Sequence, residues 1–413
     1  MPWRLLEMTR PLLLLFVLAF LGSCVWNQPA DDPDYLSLDD SDYPYVGIPR
    51  MVIETRNMSQ IKDNSTAISA IMQIYGEKEP ESDIVEISIR GRGSASFKMP
   101  KNSYKLEPKK KESLLGMPKD KDWALIANFG DKSHLRNLIS YKLSSLMGAT
   151  YAPQCQYVEL YLNRKYMGLF LLVETIKLDK NRINIIKDTN TYLIEKETEN
   201  RSDPPFVKTE KGTLFHIKHP HSPDQEKIQE LKQYLDSWET YLQKQSFSDI
   251  ESRLDLSSYF SHYWTQEISK NVDGNFNRSV FIYWHGDGPI HFGPVWDFDL
   301  AYGNSTTEAK RASSGWYANK SGWHSQLLKN KKIDSLSKLY WQEHIAQAYT
   351  LLDTIDRYSK KISAAVQHEF KRWPDLQSTS HWAYRQSFSS YEEVIDSLQT
   401  WYKRRLKWID EQL

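Results

Sequence analysis

Two short loops rich in carboxylate and amide side chains stand close together in the second half of the chain. The first contains Asp273, Asn275 and Asn277, and the second contains Asp297 and Asp299. Side-chain oxygens of these types are the ligands that a hard divalent cation such as Mg²⁺ takes in proteins. If the two loops meet in the fold, their residue types therefore indicate a magnesium site.

The segment between the loops predicts how they are brought together. Apolar and aromatic runs at residues 279–284 and 290–295 are separated by Gly-Asp-Gly at residues 286–288. A glycine-containing break between aromatic and β-branched runs is typical of a β-hairpin. Because the outer ends of a hairpin lie side by side, we expect the two acidic loops to be neighbours.

Two other interpretations of these loops compete with a magnesium site. The spacing of Asp273, Asn275 and Asn277 resembles the start of a calcium-binding EF-hand loop. The sixth position, however, is Arg278 instead of glycine and the twelfth is Trp284 instead of glutamate, which excludes that loop. Aspartate and asparagine are also common turn formers, so either loop alone would carry little functional meaning. Their pairing through one hairpin favours a site.

A glycine- and serine-containing segment indicates a second candidate site, for an anion. Gly91, Gly93 and Ser94 lie between two predicted strands, and Lys105 lies on the second of these strands. Backbone N–H groups in such a turn can hold an anion, which Lys105 could also contact. An ordinary hairpin turn explains the glycines equally well.

Charge and length bound the class of protein. The 413 residues include 53 basic and 53 acidic side chains, with a formal net charge of +0. This balance argues against non-specific nucleic-acid binding, which normally requires a basic excess. The length predicts a large core and two lobes or domains.

The first 24 residues are typical of an export signal. Arg4 and Arg10 precede an apolar run at residues 12–21, and Leu-Gly-Ser-Cys follows, ending at Cys24. The run is too short to span a bilayer as a mature helix. Small residues before a cysteine resemble the bacterial lipoprotein signal, which predicts lipidation of Cys24 and anchoring to a membrane at its periplasmic or cell-surface face. An ordinary secretory signal is the alternative.

The remaining chain predicts an α+β protein. Residues 25–46 are rich in Asp, Pro and Ser and predict a flexible tether. Residues 47–176 mix several strand patterns with one principal helix at residues 135–147, which predicts a sheet-rich N-terminal lobe. Helical periodicity dominates residues 177–413, which predicts a mainly helical C-terminal lobe that carries the acidic loops.

The order of these parts resembles that of a protein kinase, although the usual HRD and DFG strings are absent. The motifs closely resemble the spore coat protein H (CotH) kinase family, whose fold is an atypical, two-lobed, kinase-like one. The resemblance extends from about Val52 to the C-terminus. It is carried by RGRGSASFKMPKNSYKLE (90–107), ANFGDKSHLRN (127–137), YVELYLNRKYMGLFLLVETI (157–176), KNVDGNFN (270–277) and GPVWDFDLAYGN (293–304).

The resemblance implies an atypical kinase that transfers the γ-phosphoryl group of a nucleotide, preferably ATP, to a Ser or Thr of a protein. It implies that Lys105 contacts the nucleotide phosphates, together with the turn containing Gly91, Gly93 and Ser94. Asp273 would accept the proton of the substrate hydroxyl, as a catalytic-loop aspartate does.

The resemblance also implies a metal and a base-binding region. Asn277 and Asp297 would hold Mg²⁺, with Asp299 as a second acidic ligand. Asn277 follows Asp273 by four positions, whereas the corresponding spacing in protein kinases is five. Asn275 therefore stays open as the alternative metal ligand. Glu174, at the end of a predicted strand, would lie at the hinge between the lobes near the adenine.

Two other classes of function stay open. Export normally takes a chain away from ATP, so a cell-surface binding or assembly module with a kinase-like fold and a protein or glycan partner is the alternative. Asp297 and Asp299 also match the DxD of metal-dependent glycosyltransferases, but no doubly wound βαβ pattern surrounds them. Lys105, Asp273 and Asp297 together favour catalysis, because a protein without chemistry has no reason to keep a destabilising cluster of like charges.

Overall fold

A closed barrel forms the N-terminal part of the structure. Its strands are β1 (Arg50–Thr55), β2 (Ile68–Tyr75), β3 (Val85–Arg92), β4 (Ser103–Pro108), β5 (Trp123–Ile126), β6 (Cys155–Leu162) and β7 (Lys165–Glu174). They are hydrogen-bonded in the order β1-β2-β3-β4-β5-β7-β6, and a parallel pairing of β1 with β6 closes the ring. Alternate side chains, among them Leu106, Trp123 and Phe170, fill the interior with an apolar core.

The structure is a computed structural model and describes residues 36–93, 96–198, 205–374 and 386–413. Cys24 and Ser94, to which the sequence assigns roles, lie outside these ranges. Residues 36–46, within the predicted tether, pack on the barrel. Leu36 is buried, and the Tyr43 and Tyr166 rings stack with centroids 3.9 Å apart. Folded structure thus begins before the predicted start at Gly47, because apolar side chains in this polar segment contact the barrel.

The C-terminal part combines a second sheet with helices. Its antiparallel strands are β8 (Thr191–Lys196), β9 (Phe206–Lys208), β10 (Leu214–His219), β11 (Phe281–His285) and β12 (His291–Phe292), hydrogen-bonded in the order β12-β11-β8-β10-β9. The α-helices within the described ranges are α1 (Arg136–Leu146), α2 (Gln225–Lys244), α3 (Phe247–Glu251), α4 (Leu256–Ser269), α5 (Glu308–Arg311), α6 (Gly322–Leu328), α7 (Lys331–Tyr349), α8 (Leu351–Arg372) and α9 (Tyr391–Asp410). The predicted mixture of a sheet-rich N-terminal part and a helical C-terminal part is confirmed. None of the described helices is both long and apolar enough to cross a membrane.

The structure contains two clear hairpins, β6–β7 and the one predicted between the acidic loops. The β6–β7 turn uses Asn163 and Arg164, both with positive φ (50° and 63°), as a two-residue hairpin of this twist requires. In the second hairpin, Ile282 of β11 pairs with Phe292 of β12. The two acidic loops therefore flank a real hairpin. Strands β9 and β10 were not predicted, because they are short and lie in a polar, proline-containing segment.

Helix α4 carries the first acidic loop and is enclosed on nearly every side. Asp255 caps its N-terminus by accepting the backbone N–H of Ser258 at 2.7 Å. Residues 259–269 are all buried. They belong to the large core, against which the outer face of the barrel also packs. Lys270 ends the helix in the left-handed conformation, with φ 47°. The loop that follows is therefore attached to a rigid element.

A buried histidine in this core predicts acid sensitivity. His324 of α6 is fully buried, and neither ring nitrogen has a hydrogen-bond partner among the described residues. Burial lowers the pKa of His324 to about 3. Its unfolded pKa is about 6.5, so between these values the unfolded chain binds a proton that the folded protein excludes. The stabilisation is complete above the unfolded pKa and is lost as pH falls toward the folded pKa.

His324→Phe is therefore expected to flatten the acid side of the stability profile by about 1.4 kcal/mol per pH unit. The free energy of unfolding, measured in urea between about pH 4.5 and 6.5, checks this. Phe292→Leu is the matched control, since Phe292 lies against His324 with ring centroids 5.7 Å apart and carries no proton. It should lower stability without changing the slope. An unchanged slope in His324→Phe would contradict the assignment.

Candidate functional site

The two acidic loops are joined by one buried amide. Asn271 donates from Nδ2 to Gln266 Oε1 at 3.1 Å and to the carbonyl of Asp297 at 3.2 Å. Its Oδ1 accepts the backbone N–H of Asp273 at 3.4 Å. Asn271 thus connects helix α4, the first loop and the second loop, which the sequence analysis did not anticipate. Its position directly after the helix C-cap was the available signal.

Backbone geometry is constrained in both loops. A Cβ on Gly274 would lie 1.9 Å from Gln266 Oε1, so a larger residue would require the Gln266 side chain, which accepts from Asn271, to move. Asp297 has φ 68°, the left-handed region that residues other than glycine rarely adopt. The neighbouring N–H of Phe298 donates to Asn137 Oδ1 at 2.9 Å, which helps to hold this conformation. Such conformations concentrate at functional sites, where the surrounding structure maintains them.

The three aspartates are electrostatic neighbours. Burial raises the pKa of Asp299 well above its usual value, and the charges of Asp297, Asp273 and Asp131 raise it further. Burial and Asp297 also raise the pKa of Asp273, against a smaller opposing effect of Arg278. Like charges in a buried site destabilise one another, and a bound divalent cation would relieve this repulsion.

The donor atoms present fit a Mg²⁺ ion held by few protein ligands. The described residues contain no group of three or more His, Cys, Asp and Glu side chains that could hold a metal. Asn277 donates from Nδ2 to Asp273 Oδ1 at 3.2 Å, whereas Asn275 Oδ1 is buried and has no hydrogen-bond partner among the described residues. Mg²⁺ usually binds one or two carboxylates and completes its shell with water and substrate phosphates. The carboxylates of Asp297 and Asp299 with one of these amides match that preference.

Lys105 contacts acidic residues that lie outside the two acidic loops. It lies on β4, where its Nζ is 2.6 Å from Glu107 Oε1 and 3.3 Å from Asp122 Oδ1. On the adjacent strand β3, Arg92 pairs with Ser103, two positions from Lys105 along β4. Side chains two apart on a strand share a face, so Lys105 and Arg92 emerge from the same side of the barrel.

Arg92 is a basic residue of the barrel that lies beside the second acidic loop. Its guanidinium carbon is 4.8 Å from the centroid of the Trp296 ring. Asp297 acts electrostatically on this half-buried side chain. The guanidinium has no hydrogen-bond or ion-pair partner within the described ranges. Arg92 was not among the predicted anion-binding residues, although it lies between Gly91 and Gly93 in the predicted anion-binding turn.

Arg92 also lines a small cavity between the barrel and the second acidic loop. The cavity measures about 50 Å³, and Asp297, Asp299, Lys101 and Asn128 are among its other lining residues. Drug-sized ligands occupy pockets of roughly 300 Å³ or more. A nucleotide would therefore require this cleft to widen, and the Arg92 guanidinium has no bonded partner among the described residues to give up.

The other predicted contact residues have mainly structural neighbours. Glu174 is buried at the end of β7, and its Oε2 accepts the Tyr151 hydroxyl at 3.0 Å and the Gln154 N–H at 2.9 Å. Burial raises the pKa of Glu174, whose Oε1 has no partner among the described residues. Gly91 pairs with Tyr104 inside the β3–β4 ladder. Gly93 has φ 88°, as a turn glycine does.

Comparison with protein families accounts for this arrangement. No curated protein matches the chain. The family model described as CotH kinase protein matches residues 87–409, a stretch that includes most of β3, strands β4 to β12, helices α1 to α8, nearly all of α9 and both acidic loops. The match covers well over half of the 413 residues. The chain therefore belongs to the CotH kinase family.

Proposed function

We propose that this chain is an atypical protein kinase with a two-lobed, kinase-like fold. It would transfer the γ-phosphoryl group of ATP, with Mg²⁺, to a Ser or Thr hydroxyl of a protein. The observation that carries the proposal is the junction of the two acidic loops through Asn271, in a chain of the CotH kinase family. Phosphoryl transfer depends mainly on positioning and charge stabilisation, which a few fixed groups can supply.

Asp297 and Asp299, with the amide of Asn277 or Asn275, would hold Mg²⁺. When bound, the ion offsets the negative charge that develops on the phosphate oxygens. The mutual repulsion of the aspartates supports this assignment, since a bound cation would relieve it.

Asp273 would act as the base. The acceptor hydroxyl oxygen forms a bond to the γ-phosphorus, the bond from that phosphorus to the bridging oxygen breaks, and ADP leaves. The hydroxyl proton passes to the Asp273 carboxylate. The raised pKa of Asp273 supports this role, because it makes the carboxylate a stronger proton acceptor.

Arg92 and Lys105 would share the contacts to the phosphates. Arg92 lies next to Asp297 and has no bonded partner among the described residues, whereas Lys105 would have to leave Glu107 and Asp122. A planar guanidinium also suits bidentate contacts with phosphate oxygens. Glu174 would border the adenine. We also propose that Cys24 carries a lipid and anchors the exported chain to a bacterial membrane.

The test is nucleotide binding by the full chain, followed as the thermal unfolding midpoint. A ligand that binds only the folded state stabilises it by about 2.7 kcal/mol at a hundredfold excess over Kd. We expect ATP with Mg²⁺ to raise the midpoint and ATP with a chelator to have little effect. Arg92→Met should lose most of the rise, and Lys105→Met a smaller part. No shift in the wild type up to millimolar ATP would favour the binding-module alternative.

A further inference from the structure

The stretch that follows the second acidic loop forms a wall beside Asp273. We call residues 303–321, which include helix α5, the wall segment. Its Tyr317 hydroxyl donates to the carbonyl of Val272 at 3.0 Å, and Ser321 Oγ donates to the carbonyl of Asn275. The charge of Asp273 acts on Tyr317. An acceptor approaching Asp273 would therefore meet this segment.

A buried lysine holds the middle of the wall segment. Lys270 is 3% exposed, although it carries a flexible ammonium group. Its Nζ donates to the carbonyls of Ala309 and Ala312, both at 2.8 Å, and of Ser314 at 2.7 Å. All three donors of the ammonium group are thus used on the backbone of one segment. Because Lys270 is also the C-cap of α4, it links the wall segment directly to the loop that carries Asp273.

A buried arginine from the C-terminal helix contacts the next residues of the segment. Arg405 of α9 is fully buried, and its Nη1 donates to the carbonyls of Ser313 at 3.0 Å and Gly315 at 2.9 Å. Its Nη2 lies 2.5 Å from Glu267 Oε1, in an ion pair from which water is excluded. The wall segment is therefore connected to α9 as well as to α4.

The carboxylate of Glu267 completes this set of contacts. Its two oxygens accept the backbone N–H groups of Tyr317 at 2.8 Å and Asn319 at 3.2 Å. Glu267, Lys270 and Arg405 thus bind backbone atoms along residues 309–319, whatever the side chains of those residues are. Burying three charged groups is unfavourable unless each is fully bonded. Because all three bind the backbone of residues 309–319, their common role is to hold that segment in place.

We propose that Lys270, Arg405 and Glu267 are positioning residues that hold the wall segment as a preformed surface for the protein acceptor. The proposal rests on the proposed function, because it concerns the acceptor side of the same site. Many kinases order the corresponding stretch only after phosphorylation supplies a charge for basic residues to bind. Here the charges are built into α4 and α9, so the surface is present without modification or partner.

The first test measures order in the segment and needs no activity. In the full chain, Lys270→Met keeps the length of the side chain but leaves three carbonyls without a donor. Tryptic cleavage at Lys310 and Arg311, identified by mass spectrometry, should become about tenfold faster under native conditions. Lys320→Met is the matched control, since Lys320 is exposed on the same segment. Lys270→Arg should restore most of the protection. Unchanged cleavage in Lys270→Met would overturn the proposal.

The second test separates a positioning role from a general loss of stability. Phosphate transfer from γ-labelled ATP to dephosphorylated casein, used as the acceptor probe, should show KM for casein raised about tenfold in Lys270→Met. The apparent affinity of Lys270→Met for ATP, obtained from the ATP-dependent rise in its unfolding midpoint, should stay within twofold of the wild-type value. Equal losses for ATP and casein would overturn the proposal. If Lys270→Met does not fold, Glu267→Gln replaces it in both tests. A wild type that neither binds ATP nor labels casein would refute the proposed function, while the cleavage test would still decide the order of the segment.

Discussion

Asp297→Asn is expected to weaken the magnesium-dependent binding of ATP severely. The change removes one of two carboxylates that face the proposed ion and leaves an amide, a weaker ligand for a hard cation. We expect the apparent affinity for ATP in the presence of Mg²⁺ to fall by about a hundredfold, as the loss of one charged contact predicts. The rise in the unfolding midpoint at fixed ATP measures this loss.

The unliganded variant should unfold close to the wild-type midpoint, because asparagine has the same size and keeps the 3.4 Å contact with Ser279 Oγ within reach. Asp287→Asn provides the matched control, since Asp287 is an exposed aspartate at the tip of the same β11–β12 hairpin. That variant should bind ATP as the wild type does. Equal ATP-dependent shifts in wild type and Asp297→Asn would show that Asp297 only shapes its turn.

The two acidic loops could be predicted from the sequence to be neighbours, because the hairpin that joins them is encoded locally. A Gly-Asp-Gly break between strands encodes a hairpin within about a dozen residues, and no distant contact is needed to read it. The same holds for helix α4, whose cap at Asp255 and apolar faces are local features. The α+β division followed from such periodicities. Strands β9 and β10 escaped detection because they are short and each is held by pairing with another strand, β10 with β8 and β9 with β10.

Which basic residue of the barrel lies beside the second acidic loop could not be predicted from the sequence. Strand alternation places Lys105 and Arg92 on one face of the barrel, and both types of side chain bind phosphate. What distinguishes them is the position of Asp122, which pairs with Lys105 only in the folded protein. Lys101 in the same motif is buried against Glu369, 268 positions away. Such partners are tertiary facts that a motif does not contain.

The same limit applies to the charges that hold the wall segment. Arg405 lies among lysines and arginines of helix α9, and basic residues of amphipathic helices usually face solvent. It is nevertheless fully buried, because the carbonyls of the wall segment and Glu267 together satisfy its donors. Only the packing of α9 against α4 reveals this.

Asp273→Asn is expected to stop phosphoryl transfer while ATP binding continues. The amide cannot accept the proton of the acceptor hydroxyl, and removal of a general base typically lowers kcat by 10² to 10⁴, so we expect a loss of about a thousandfold. Transfer to dephosphorylated casein measures this loss. The ATP-dependent midpoint shift should persist, since Asp273 is not among the proposed metal ligands.

The two aspartate variants together separate binding from chemistry. Loss of ATP binding in Asp297→Asn, with retained binding and lost transfer in Asp273→Asn, is the pattern that the proposed roles require. Asp273→Asn also removes a charge that raises the pKa of Asp299, so its unliganded midpoint should not fall below that of the wild type. Wild-type transfer rates in Asp273→Asn would contradict the base assignment. Another group would then have to accept the proton, because the hydroxyl cannot attack the phosphorus and keep its proton in the product.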